Sequence, residues 1–314
     1  MARNDLMPSS TTTYFVRSRT DASGRRRRQR RLATLAALLT PTVLLLLLAF
    51  VLPIVFLFSF SAFFFDGARI IYNLTFDAYG RFFSDPFYWD VVGRSLQLAT
   101  VVTLLAVVIG YPTAYGITRI KQPGITVLLY ILIFSPLLTS VVIRAFGWVV
   151  LLGDSGFANY VLMGLHIVEQ PVRLIYNVEG VTIALVHVLL PFAVFPMISV
   201  LNQMDPTLKE AANDLGASRW QTFRRVTWPL SLPGVLAGGQ TTFVLAVSAF
   251  ATPAILGGGR VLVLPRAIYE GIVSRDWPLA AVMGIVLLAM TLLMIFLSNQ
   301  LFRLVYRAPQ EQES

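Results

Sequence analysis

The sequence predicts an all-α polytopic membrane protein of about six transmembrane helices, with a polar helical hairpin between spans four and five. Three observations carry that reading. The 314-residue chain is 56% hydrophobic and 13% charged, with a mean hydropathy of +0.71, whereas soluble chains carry about 25% charge. Apolar stretches long enough to cross ~30 Å of hydrocarbon recur along it. A charged, helix-forming segment, 205–229, separates two of those stretches.

The first 31 residues read as a basic, disordered cytoplasmic tail. Residues 1–24 are polar and Ser/Thr-rich with no apolar face, a composition that cannot bury a core. "RRRRQRR" at Arg25–Arg31 abuts the first apolar run, where the positive-inside rule places a cytoplasmic flank. The formal charge of +9 therefore points to topology, not to nucleic acid. The run from Leu32 to Phe65 is too long for a signal-peptide core, and no small-x-small cleavage site follows. It reads as a retained first span.

Six spans follow from hydropathy, at 32–60, 93–118, 124–152, 180–201, 232–256 and 279–304. Together they define a membrane domain over 32–305, with a short cytoplasmic tail at 306–314. Prolines 41, 53, 112, 136, 191, 196 and 253 fall inside them, and membrane helices tolerate proline where neighbours re-satisfy the freed carbonyls. Lys and Arg test the orientation. With both termini cytoplasmic, the tails and inner loops hold 17 of the 25 basic residues and the outer loops six, an asymmetry of the expected sign. The outer segment 61–92 mixes Phe63–Phe65, Tyr79, Phe82, Phe83, Tyr88 and Trp89 with Asp66, Asp77, Asp85 and Asp90, which suits a short interfacial helix. Segment 153–179 also reads as structured.

Helix signals in the polar segment are specific. Asp205 stands at a cap with Pro206 at the first helical position, and "TLKEAANDL" is mostly strong helix former. Gly216 sits where a left-handed C-terminal cap belongs. Ser218 with Gln221 three residues on forms a capping box, and Pro229 is expected to end this second helix. Trp220, Phe223 and Thr227 share its face, with Glu210, Arg219, Arg224 and Arg225 around it.

"EAANDLG", nine residues and then "VTWP" together resemble the EAA–x3–G–x9–I–x–L–P signature of ATP-binding-cassette importer permeases. Glu210, Ala211, Ala212, Gly216 and Pro229 match, while Val226 and Trp228 replace the usual Ile and Leu. The resemblance implies a cytoplasmic EAA coupling hairpin seated in a cleft of an ATPase subunit, with Arg219 beside the contact. "GYPTAYGITRIK", "ANYVLMGLHIVEQPVRLIYN", "LVHVLLPFAVFPMISVLNQMDPTLKEAANDLGAS" and "SRDWPLAA" extend the likeness over roughly 40–305, and they look like the spermidine/putrescine class. The implied partners are a second permease subunit, commonly a different chain, two copies of a cytoplasmic ATPase, a periplasmic substrate-binding protein and the lipid bilayer. The implied location is the bacterial inner membrane.

The chain reads as a transport subunit without catalytic, cofactor or metal residues of its own. It has no G-x-x-x-x-G-K-[ST] phosphate loop, so ATP with its Mg falls to the partner; "LGGGR" at Leu256–Arg260 reads as an outer turn. There is no cysteine and there are two histidines, which leaves no thiol chemistry and little for a metal.

The substrate path is less legible. None of the six span cores contains Asp or Glu, so acids for a cation are confined to outer segments, Glu270 and Asp276 among them. Tyr111, Tyr115 and Trp148 offer cation–π faces or interfacial anchors. Arg144 in span three lines the pathway, finds a buried partner or snorkels, and it would favour an anion or zwitterion. Polyamine stands first, with an opine, an amino-acid-like compound or an anion as alternatives. A secondary transporter needs mid-membrane coupling groups and often inverted repeats; neither stands out here. A membrane enzyme needs a converging catalytic set, for which the spans hold one mid-span histidine, His187.

Overall fold

Residues 20–65 and 70–307 are described in the computed structural model. Helix α1 runs Thr20–Ser61 with Pro41 and Pro53 inside it. Residues 1–19 of the expected disordered tail lie outside the described residues, but from Thr20 the chain is helical. Arg, Gln, Leu and Ala are strong helix formers, and the apolar run supplies a long helix for them to extend. The chain divides into two units after Phe56. In the first unit the side chains of Leu44, Leu45, Leu46 and Phe50 are exposed, as suits a segment whose solvent is hydrocarbon.

The second unit opens with a small strand pair in an otherwise helical architecture. Strands β1 (Phe63–Phe65) and β2 (Ile70–Leu74) pair antiparallel, because runs of aromatic and β-branched residues favour a pleated edge. Helix α2 (Asp77–Ser84) is a short helix in the region where one was expected. Helix α3 (Pro86–Ile117) begins earlier than hydropathy suggests, since the Asp85 carboxylate accepts from Phe87 N and Pro86 stands at the first turn.

The third expected span, 124–152, is not one helix. Helix α4 (Pro123–Phe134) ends in a 3₁₀ turn at Ser135–Leu138, and α5 (Val141–Leu152) and α6 (Phe157–Gly164) follow. Pro136 lacks an N–H, so the α-helical ladder cannot run through it; Ser135 before it keeps helical angles, and the extended Thr139 ends the turn. The segment 141–164 is the one long and apolar enough to cross. Behind α6, the buried Asn159 amide bonds the carbonyls of Gly153 and Val172 and accepts from Val172 N, so 153–179 is structured as expected.

Helix α7 (Val178–Gln203) is capped by Asn177. After the polar hairpin come α10 (Trp228–Val247), a break at 248–250, and α11 (Ala251–Leu256), so the fifth expected span is also divided. Ser248 Oγ donates to Val244 O at 2.7 Å, closing α10. A turn at Gly257–Arg260, α12 (Leu264–Val273) and α13 (Trp277–Arg307) complete the chain. Six stretches among the described residues are long and apolar enough to cross a membrane.

Helices α3, α7 and α10 pack on one another. Val102, Val181, Leu185, Phe243 and Val247 lie in one buried cluster, and Ala114, Val194 and Met197 in the next. In a bilayer, burial of apolar area gives little drive between helices, so close van der Waals contact and small residues hold them. Gly234 and Gly238 supply that contact: a Cβ at Gly238 would stand 2.5 Å from the Ala193 carbonyl oxygen, and one at Gly234 would stand 2.9 Å from that of Pro196. Helices α2, α12 and α13 form a third cluster around Phe82, Leu264 and Val282.

Candidate functional site

Helix α8 (Pro206–Asp214) and the short α9 (Arg219–Thr222) form the polar hairpin. The Asp205 carboxylate accepts from Thr207 N at 2.9 Å, and this bond, with a second from the Thr207 hydroxyl, holds its pKa below the usual carboxylate range. Gly216 has φ +77°, the left-handed geometry that closes α8, and Ala217 N returns to Ala212 O at 3.0 Å. Ser218 and Gln221 form the capping box, with bonds of 2.8 and 3.3 Å.

Pro229 does not end the second helix. α9 passes through a π turn at Phe223–Thr227 into α10, where Pro229 occupies the first turn. A wide turn takes up one residue beyond the α-helical count, and Trp228 N bonds Phe223 O across it. The hairpin's second arm and the fifth span are thus one helical body. Glu210 and Ala211 are exposed and Ala212 half-buried. Leu215 and Trp220, at 88% and 67% exposure, leave apolar surface on the hairpin facing outward.

The candidate path residues fall in three places. Tyr111 and Tyr115 lie where the hairpin joins α10. Tyr111 is buried, its hydroxyl 2.9 Å from Ser231 Oγ and its ring edge-on to Trp228. Tyr115 accepts from Arg119 Nη2 at 2.6 Å, and that guanidinium also sits 4.8 Å over its ring. Arg144 and Trp148 come together on α5, with the Trp148 ring 5.4 Å from His187 of α7. Arg144 donates to Thr139 O at 3.0 Å while its Nε and Nη1 are buried without a hydrogen-bond partner.

Glu270, near the end of α12, and Asp276, just before α13, are already engaged. Glu270 pairs with Arg266 at 2.9 Å. Asp276 is buried, pairs with Arg81 at 2.7 and 3.2 Å and accepts from Leu279 N at the start of α13. The bond to Asp276 raises the Arg81 guanidinium further above its ordinary value, against an opposing effect of burial. Arg81 Nε also lies 3.1 Å from Asp77, outside hydrogen-bond geometry.

The chain has relatives among known proteins. Residues 22–309 match the family described as binding-protein-dependent transport system inner membrane component. The chain belongs to that family. This permease is 34% identical over 241 residues to the spermidine/putrescine transport system permease protein PotB of Escherichia coli K12, covering 76% of its own length and 87% of that protein. With the PotB of Haemophilus influenzae it shares 35% identity over 244 residues, covering 77% and 85%. Among solved structures, a bacterial alginate ABC transporter in complex with alginate pentasaccharide-bound periplasmic protein superposes with a TM-score of 0.71 at 18% identity, covering 90% of this chain and 98% of that one, which speaks to fold alone.

The permease is therefore a multi-pass inner-membrane transport component and not itself an enzyme. Sequence reading missed several of its polar fixtures. Ser231 as the partner of Tyr111, and Arg81 as the partner of Asp276, are contacts between residues more than a hundred positions apart. Neither leaves a local signal. Lys209 was legible only as a basic residue of the hairpin, yet in the fold it approaches Arg119. Burial, then that neighbour, push its ammonium below the usual lysine range.

Proposed function

We propose that this chain is the transmembrane permease subunit of an ATP-binding-cassette importer whose substrate is a polyamine, spermidine or putrescine. The observation that carries the substrate is 34% identity across 76% of the chain to a permease named for those two compounds. In this reading both termini and the α8–α9 hairpin are cytoplasmic, in keeping with the Lys/Arg asymmetry. The hairpin sits in the cleft of a cytoplasmic ATPase, with Glu210, Ala211 and Ala212 at the contact and Arg219 beside it, Gly216 setting its bend and Pro229 joining it to the fifth span. Two ATPase copies bind ATP with Mg, a second permease chain completes the pathway, and a periplasmic protein delivers the substrate. ATP drives the change because it binds the two states unequally.

One observation favours a second reading. Arg144 carries a positive charge inside a span with two guanidinium nitrogens unpartnered, and such a group attracts an acid or zwitterion more readily than a polycation. Uptake of labelled spermidine, putrescine, γ-aminobutyrate and an opine, in cells with and without this chain, decides between them. Polyamine uptake that disappears with the chain is the expected result. Polyamine uptake unchanged, with loss of the acid or zwitterion, would overturn the substrate and leave the permease role standing.

A further inference from the structure

Where α3 ends against the hairpin, three cations converge on one pocket. Its lining is Tyr115, Arg119, Lys209, Asn213, Arg219 and Thr222. No carboxylate lines it, and none of the ion pairs among the described residues involves Arg119, Lys209 or Arg219. Like charges gathered without a counter-charge repel one another, so the arrangement is stable only with an anion or water between them. Burial and then Arg119 lower the Lys209 ammonium below the usual lysine range.

A second groove shares Tyr115 and Arg219 with this pocket and is of opposite character. Tyr111, Trp220 and Phe223 line it. The Trp220 and Phe223 rings stack at 5.5 Å, and Phe223 meets Tyr115 edge-on at 5.4 Å. A cationic pocket opening onto an aromatic groove at the level where spans meet water matches an amphiphile with a phosphate at one end and hydrocarbon at the other. Guanidinium and ammonium groups are the usual phosphate ligands of proteins, and basic pockets between membrane helices hold anionic lipid headgroups.

We propose that the pocket and groove bind one anionic phospholipid, with its phosphate among Arg119, Lys209 and Arg219 and an acyl chain along Tyr111, Trp220 and Phe223. The lipid ties α8 to the end of α3 and sets the resting position of the hairpin. This rests on the seating of α8–α9 at the inner membrane face proposed above. That seating is read separately, by labelling a single Ala217→Cys from either side, so a failure of one does not mimic a failure of the other.

The test uses the assembled transporter in nanodiscs of phosphatidylcholine with phosphatidylglycerol, with retained lipid counted by native mass spectrometry. The expected result is that wild type keeps a phosphatidylglycerol through washing and the Arg119→Gln/Lys209→Gln variant loses it several-fold. The charge-preserving Arg119→Lys/Lys209→Arg variant should keep it. The difference between variants isolates this site from lipids held by partner chains. A parallel arm titrates inorganic phosphate and follows melting temperature; phosphate binding that the double variant loses, without phosphatidylglycerol retention, overturns the lipid in favour of a soluble anion. Equal retention by wild type and double variant also overturns the proposal. Should the double variant fail to assemble, competition between the two lipids on wild type decides, and no preference for phosphatidylglycerol refutes it.

Discussion

At the scale of single residues, Gly216 and Asp276 bear the sharpest tests. Apart from its chain neighbours, no atom of this chain lies within 4 Å of a Cβ placed at Gly216, so within the chain the cost is conformational. At φ +77° a β-branched residue is strained by about 1–3 kcal/mol, whereas asparagine tolerates the left-handed region. Gly216→Val is expected to uncouple transport, leaving ATP hydrolysis by the assembled complex while uptake falls; Gly216→Asn should be milder. Uptake at the wild-type level in the valine variant would remove Gly216 from the coupling role. Asp276 both pairs with Arg81 and caps α13. Asp276→Asn keeps an acceptor for Leu279 N and loses the charge, and Asp276→Ala loses both. With Arg81 partly open to water, each loss is expected to cost about 1–2 kcal/mol, so melting temperatures should fall in the order wild type, asparagine, alanine.

At the scale of elements, the contact between α7 and α10 is set by glycine. Gly238→Ala would bring a methyl group onto the Ala193 carbonyl, and forcing the two helices apart costs about 1–3 kcal/mol. Reduced melting temperature and yield of the purified transporter are expected, with a larger loss for Gly238→Val. An alanine variant as stable as wild type would show that the helices separate freely. The elements also show what sequence could and could not give. Caps at Asp205 and Ser218 were readable from a few neighbouring residues, and the structure has both bonded as N-caps; those at Asp85 and Asn177 emerge only from the structure. Divisions of spans three and five were not readable, because hydropathy averages over Pro136 and over Ser248–Phe250 without registering a change of direction. Pro229 misled in the opposite sense: proline usually stops a helix, and here a π turn before it let the helix continue.

At the scale of the whole molecule, orientation is the quantity to measure. The chain contains no cysteine, so single cysteines report without background. Ala217→Cys is expected to react with an impermeant maleimide only in inverted vesicles, and Asp154→Cys only in intact spheroplasts. Labelling of Ala217→Cys from outside would reverse the topology and with it the ATPase contact. The membrane class was legible from composition alone, since few soluble folds tolerate so little charge. The path for the substrate was not. Of six residues chosen for it, Tyr111 and Tyr115 support the hairpin, Glu270 and Asp276 hold ion pairs, and Arg144 and Trp148 are left together beside His187. Chemistry at a pathway depends on which faces converge, and helix periodicity carries no record of the partner face.

The π turn at Phe223–Thr227 makes the hairpin and the fifth span a crank with fixed phase. Each residue in an α-helix advances the side chains by about 100°, so deleting one residue from that turn would leave both arms helical and swing one against the other by about that angle. With Gly234 and Gly238 held against α7, the hairpin and Gly216 at its far end would take up that swing. Such a deletion separates the timing of the stroke from the strength of its parts. It should yield a transporter that assembles and binds nucleotide but whose pathway opens out of step.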